Sequence, residues 1–194
     1  MVGNIFAKSK INPNLFTLFS IVLATMAAYF ISQKLYFFAL IWVMLAGLWD
    51  VFDGSLARAM NKVTLFGNYL DAMIDKYVEI IIFVGFALAG YAIEAFFVIS
   101  FALVLSYAKP RIALVVKIDN HDWPAIGERI DRFVFLIVIL TISCIVDVFG
   151  LKSTFSIGTF VLDITSVLLY FMAFILLIGS IQRMLYAKKI IESK

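Results

Sequence analysis

Four aspartates, Asp50, Asp53, Asp71 and Asp75, stand within the stretch WDVFDGSLARAMNKVTLFGNYLDAMIDKY at residues 49–77, in a chain that is otherwise mostly apolar. A carboxylate at membrane depth costs roughly 3 kcal/mol or more unless something compensates it. Their spacing is helical. At about 100° per residue, Asp50, Asp53, Gly54 and Ala57 share one face, and Gly67, Asp71 and Asp75 recur every four residues. The short joint between the two runs predicts antiparallel neighbouring helices whose acidic faces converge on one site. Gly54, Ala57 and Gly67 leave room there for a ligand to approach the backbone. Carboxylates so placed repel one another, and divalent cations remove the repulsion. Oxygen-only donors favour Mg²⁺, Mn²⁺ or Ca²⁺ over zinc. Two such ions would balance the formal charge, and paired ions can clamp a displacement at phosphorus. Two other readings stay open on geometry alone: structural ion pairs with Arg58, Lys62 and Lys76, and a pathway for a transported divalent cation.

The elements that must position these acids follow from composition. Hydrophobic residues make up 64% of the 194, 20 of them Phe, and mean hydropathy is +1.05. Soluble domains run at roughly 45–50% apolar, so a soluble fold is excluded. A membrane span needs about 20 largely apolar residues. Six segments qualify, at about 14–32, 36–60, 65–91, 94–117, 127–148 and 157–186. Polar joints separate them at 32–34, 61–64, 90–94, 118–126 and 150–156. The runs are too long for barrel strands, and only closed helices or barrels satisfy their backbone in lipid. The expectation is an all-α polytopic membrane protein of six helices, forming one domain over 1–194. The start, MVGNIFAKSK, reads as a short amphipathic juxtamembrane segment, with Ile5 and Phe6 dipping into lipid and Lys8 and Lys10 meeting its anionic surface.

Charge orients the spans. Of 16 Lys and Arg, only Lys34 and Lys152 fall on the side away from the N-terminus and the second and fourth joints. The positive-inside rule then puts both termini in the cytosol, with the chain in the cell membrane. The aspartates face the same side. At about 1.5 Å per residue, Asp75 lies on the order of 15 Å below its joint, which implies a polar cleft open to the cytosol. Cys144 reads as a small packed hydrophobe, His121 as a solvated loop residue, and Trp123 as an interface anchor. Asp147 and Asp163 mark span boundaries on the far side.

Written out, the acidic stretch is D-x2-D-G-x2-A-R-x8-G-x3-D-x3-D, from Asp50 through Gly54, Ala57, Arg58 and Gly67 to Asp75. This resembles the signature of the CDP-alcohol phosphotransferases, membrane enzymes of phospholipid synthesis, at every fixed position and at both long spacings. The six-span layout extends the resemblance over most of the chain. The resemblance implies transfer of a phosphatidyl-type group from a CDP-linked lipid to an alcohol, with release of CMP. It implies that Asp50, Asp53, Asp71 and Asp75 hold two Mg²⁺ or Mn²⁺ ions, and that Asp75 also serves as the general base. Gly54, Ala57, Arg58 and Gly67 would line the CDP pocket, bordered by Asn14 and Thr17 of the PNLFT stretch. A homodimer is implied as well, and no nucleic-acid partner.

The basic residues outside the signature bear on the acceptor. Lys109 and Arg111, Arg129 and Arg132, and Arg183 lie near the ends of the fourth, fifth and sixth spans. Arginine forks grip phosphate bidentately, so a phosphorylated polyol is expected. The elements KPR, ERIDR and QR resemble those of the phosphatidylinositol phosphate and archaetidylinositol phosphate synthases, which makes inositol phosphate the expected acceptor. Pro110 departs from that pattern. Glycerol 3-phosphate as acceptor and a soluble CDP-polyol as donor are the alternatives within the same chemistry, and a divalent-cation transporter is the alternative from another class.

Overall fold

The computed structural model describes residues 13–59, 64–116, 125–151, 154–157 and 160–192, with side chains described at 15–52, 64–116, 125–151, 154 and 162–192. Among these residues there are six α-helices: α1 Pro13–Ser32, α2 Tyr36–Ala59, α3 Leu65–Phe86, α4 Ala92–Ala113, α5 Arg129–Val148 and α6 Ile164–Glu192. The amphipathic start, His121 and Trp123 lie outside the described residues. The chain divides into two compact units, Met1–Gly90 and Tyr91–Lys194.

In the first unit α1 is the common support, because both α2 and α3 pack against it. Its small residues make this possible. Ala24, Ala27, Ala28 and Ile31, at helical spacing, are buried, as are Ala39, Val43 and Ala46 on α2. On α3, Gly85 lies so close to α1 that an added Cβ would stand 2.6 Å from the Ala28 carbonyl oxygen. The turn from α1 to α2 closes on Lys34 in the left-handed region (φ 57), with Lys34 N–H donating to Ile31 O at 2.8 Å and Leu35 N–H to Phe30 O at 2.9 Å. Those two bonds satisfy carbonyls that the end of a helix leaves unpaired. α3 begins at Thr64, whose Oγ1 accepts from Gly67 N–H at 2.9 Å, an N-cap that sets where the helix carrying Asp71 and Asp75 starts.

The third apolar run does not continue as one helix to 91. α3 ends at Phe86, a π-turn covers Ala87–Tyr91, and Gly90 at φ 104 breaks the helix in a conformation few other residues adopt. Glu94, expected in a polar joint, lies instead in the first turn of α4 and is buried, its carboxylate accepting from the Ser166 hydroxyl.

In the second unit α6 packs on both α4 and α5. The sixth helix was expected to start at 157; it starts at Ile164. Two short antiparallel strands precede it, β1 Thr154–Ile157 and β2 Phe160–Asp163, paired Thr154 with Asp163 through Ile157 with Phe160. The hairpin is the departure from an all-helical chain among the described residues. Asp163 explains the shifted start. Its Oδ1 accepts from Ser166 N–H at 2.8 Å, capping α6, while Oδ2 accepts from Tyr91 OH at 2.5 Å. Asp147 lies in the last turn of α5, before the Phe149–Leu151 turn. Cys144, within α5, is a half-buried free thiol.

Three helical stretches among the described residues are long and apolar enough to cross a membrane, Leu15–Ser32, Leu65–Ala113 (broken at Gly90) and Ile164–Glu192, with a shorter apolar stretch at Tyr36–Phe52. Large apolar side chains point outward throughout, among them Val22, Phe37 and Leu48 in the first unit and Val134, Phe171 and Phe174 in the second. Water would not tolerate that surface and lipid does, so the chain is an integral membrane protein.

Candidate active site

α2 contributes Asp50, and α3 contributes Asp71 and Asp75 one turn apart. One carboxylate oxygen from each of the three lies within 4.8 Å of the others, and all three side chains are half-buried. Asp50 of one expected acidic face therefore lies beside Asp71 and Asp75 of the other. The large contacts of α2 and α3 are with α1, so that helix sets the separation the carboxylates bridge. Asp53, Gly54, Ala57 and Arg58 continue along α2, but their side chains lie outside the described residues, as does that of Asn14. Thr17 is half-exposed near the start of α1, and Gly67 is half-exposed in the first turn of α3. Of the cations weighed as structural partners, Lys76 meets Glu79 Oε2 at 3.2 Å on its own helix. Lys62 lies outside the described residues, as does the Arg58 side chain.

The donor set fits a hard divalent cation. It consists of oxygen atoms alone, close enough for one ion to touch all three, on helices that leave them partly open to water and phosphate.

Trp49, adjacent to Asp50, is a contributor that spacing alone did not single out. Its indole Nε1–H donates to Phe16 O at 2.8 Å, its ring stacks on Phe16 at 4.0 Å and 13°, and Phe19 tilts against it at 4.8 Å. This clasp ties α2 to α1 at the residue before Asp50 and so limits how α2 can rotate. The aromatic pattern Phe16, Phe19, Trp49 was visible in the chain, but the partners are 33 positions apart for the hydrogen bond.

The basic residues belong to the second unit and fall into two groups. Lys109 is half-buried near the end of α4, whereas Arg111 and Arg129 are exposed at the end of α4 and the start of α5. Arg132 and Arg183 are buried, at 5% and 6% exposure. Arg132 Nη1 donates to Gly127 O at 2.8 Å. Arg183 donates from Nη1 to Leu105 O at 2.7 Å and from Nη2 to Glu128 Oε1 at 2.5 Å, while its Nε has no acceptor among the described residues. Pro110 sits within the last turn of α4, where it withdraws one N–H from the helix ladder without ending the helix.

Comparison with known proteins agrees with the signature. The chain belongs to the CDP-alcohol phosphatidyltransferase family, which it matches over residues 10–187. It is accordingly a membrane transferase of phospholipid synthesis. It is 29% identical over 141 residues to an archaetidylinositol phosphate synthase of Pyrococcus horikoshii, a match covering 71% of this chain and 73% of that protein. Its fold is that of the phosphatidylinositol phosphate synthase of Mycobacterium tuberculosis. The structure of that enzyme with CDP-DAG bound gives a TM-score of 0.75 at 20% identity, covering 96% of this chain and 91% of the other. The structure with manganese and citrate gives 0.74 at 22% identity, covering 96% and 87%.

Proposed function

We propose that this enzyme transfers a phosphatidyl-type group from a CDP-linked lipid to inositol phosphate and releases CMP. The convergence of Asp50, Asp71 and Asp75 within 4.8 Å carries the chemistry of the proposal. The inositol-phosphate acceptor is supported by the archaetidylinositol phosphate synthase relative and by the KPR, ERIDR and QR elements. The family match spans nearly the whole chain, which supports taking 1–194 as one catalytic domain.

Asp50, Asp53, Asp71 and Asp75 would hold two Mg²⁺ or Mn²⁺ ions, which supply charge neutralisation at the donor's pyrophosphate. Gly54, Ala57, Arg58 and Gly67 bind the CDP moiety, with Asn14 and Thr17 at its border. Small residues admit the nucleotide close to the backbone, and Arg58 meets a phosphate. The Asp75 carboxylate takes the proton from the acceptor hydroxyl, whose oxygen forms a bond to the β-phosphorus. The bond from that phosphorus to the bridging oxygen breaks in line, and CMP leaves with the electron pair. The acceptor's own phosphate is met by the basic set Lys109, Arg111, Arg129, Arg132 and Arg183. Six crossings, cytosolic termini, a site open to the cytosol and a homodimer complete the proposal. They rest on the apolar segments, the Lys and Arg bias, and resemblance.

CMP release by the purified protein tests this, measured with CDP-lipid and soluble CDP-polyol donors against inositol phosphate and glycerol 3-phosphate, with and without Mn²⁺. Release that requires metal, CDP-lipid and inositol phosphate together is the expected result. Preference for glycerol 3-phosphate would change the acceptor. Metal flux into vesicles without any CMP release would replace the enzyme with a transporter.

A further inference from the structure

α3 carries three acids, Asp71, Asp75 and Glu79, and one base, Lys76. At about 100° per residue, with Asp75 as origin, Asp71 stands at about −40°, Glu79 at about +40° and Lys76 at about +100°. Glu79 therefore lies around the helix between the lysine and the two acids of the candidate site. It starts one turn deeper, but a helical side chain leans toward the N-terminus, which brings its carboxylate up toward Lys76. The two do meet. Lys76 Nζ stands 3.2 Å from Glu79 Oε2, and the side chains are 27% and 15% exposed, so water and salt screen the pair weakly. The oxygens that converge within 4.8 Å belong to Asp50, Asp71 and Asp75; among the described residues Glu79 stands outside that group.

A lysine beside an acidic cluster is a rival to a metal ion. Its ammonium is a compact charge on a flexible stem, and a carboxylate paired with it is one that a divalent cation must win back. Lys76 follows Asp75 directly, and a reach on the order of 6 Å brings the Asp71 and Asp75 carboxylates within its range. We infer that Glu79 is a positioning residue for the metal site. It holds the Lys76 ammonium on its own carboxylate and so leaves Asp71 and Asp75 to divalent ions. This rests on the reading that Asp50, Asp71 and Asp75 bind such ions.

The test is a double-mutant cycle on Mn²⁺ binding by the full chain in detergent, read from the EPR signal of free Mn²⁺. The Mn²⁺ dependence of CMP release is the second readout. Glu79→Gln keeps the shape and drops the charge. It should weaken Mn²⁺ binding about tenfold, because the ammonium is then shared with Asp71 and Asp75. In a Lys76→Met background the same change should shift binding by no more than about twofold, since the rival cation is gone. Lys76→Met alone should bind Mn²⁺ at least as tightly as wild type. The Mn²⁺ concentration giving half-maximal CMP release should follow the same order. If Glu79→Gln or Lys76→Met does not fold, Glu79→Ala and Lys76→Gln carry the same expectations. Unchanged Mn²⁺ binding in Glu79→Gln would overturn the inference. So would an equal loss with Lys76 replaced, which would make Glu79 an ion ligand or a plain source of negative charge. Undiminished Mn²⁺ binding in both Asp50→Ala and Asp71→Asn would instead bring down the metal reading beneath it.

Discussion

Asp50, Asp71 and Asp75 bring carboxylate oxygens within 4.8 Å of one another in a protein surrounded by lipid. At an effective dielectric of about 20, each unit-charge pair at 4 Å repels by roughly 4 kcal/mol, a cost that the proposed divalent cations would relieve. Removing those ions should remove function. Chelation with EDTA is expected to abolish CMP release, and Mn²⁺ added in excess should restore it. Asp50→Ala should raise the Mn²⁺ concentration giving half-maximal activity, by about tenfold or more, since it deletes one of few first ligands. Asp75→Asn removes the proposed proton acceptor and keeps an oxygen for binding. Turnover should fall by about 10³-fold, within the range for lost general-base catalysis, while CDP-lipid still binds at equilibrium. Substantial CMP release from Asp75→Asn would assign the base elsewhere.

α1 carries no acid, yet it governs where the acids stand, because α2 and α3 both lean on it. Its Ala24, Ala27 and Ala28 let the partner helices approach closely, and Gly85 on α3 completes the contact. Gly85→Val would drive its Cβ into the backbone of Ala28, which cannot yield as a side chain end can. Thermal unfolding in detergent should show a loss of about 2 kcal/mol, typical of overpacking, and activity should fall with it. The Trp49 clasp can be divided chemically. Trp49→Phe keeps the ring against Phe16 and loses the bond to its carbonyl, so a loss of about 1 kcal/mol is expected in the same melt. Trp49→Ala loses both and should in addition weaken Mn²⁺ activation, because α2 is then freer to rotate Asp50 away. Equal Mn²⁺ activation in the two variants would separate Trp49 from the site.

The described residues present many large apolar side chains outward, and the expected six-span layout would keep Lys and Arg, apart from Lys34 and Lys152, to one side. That bias predicts a topology. In a Cys144→Ser background, a cysteine at position 34 should react with a membrane-impermeant maleimide added outside intact cells. One at position 188, near the end of α6, should react after the membrane is opened and not before. The reverse labelling would invert the protein and place the aspartate site on the wrong face for a cytosolic nucleotide.

What the amino-acid order determined by itself is local. The i, i+3 and i, i+4 repeats of Asp50, Asp53, Gly67, Asp71 and Asp75 depend on helical periodicity, and the apolar runs depend on bilayer thickness, so membrane class, acidic cluster and family were legible there. Neighbouring residues can specify such features because each helix closes its own hydrogen bonds. Contacts between distant residues decided the rest. The support of α2 and α3 by α1 and the bond from Tyr91 OH to Asp163 ahead of α6 depend on partners far along the chain. So does the burial of Arg132 and Arg183. A buried arginine and a snorkelling one are the same letter. Whether its charge meets Leu105 O, Glu128 or a ligand is settled by which backbone the fold brings within about 3 Å.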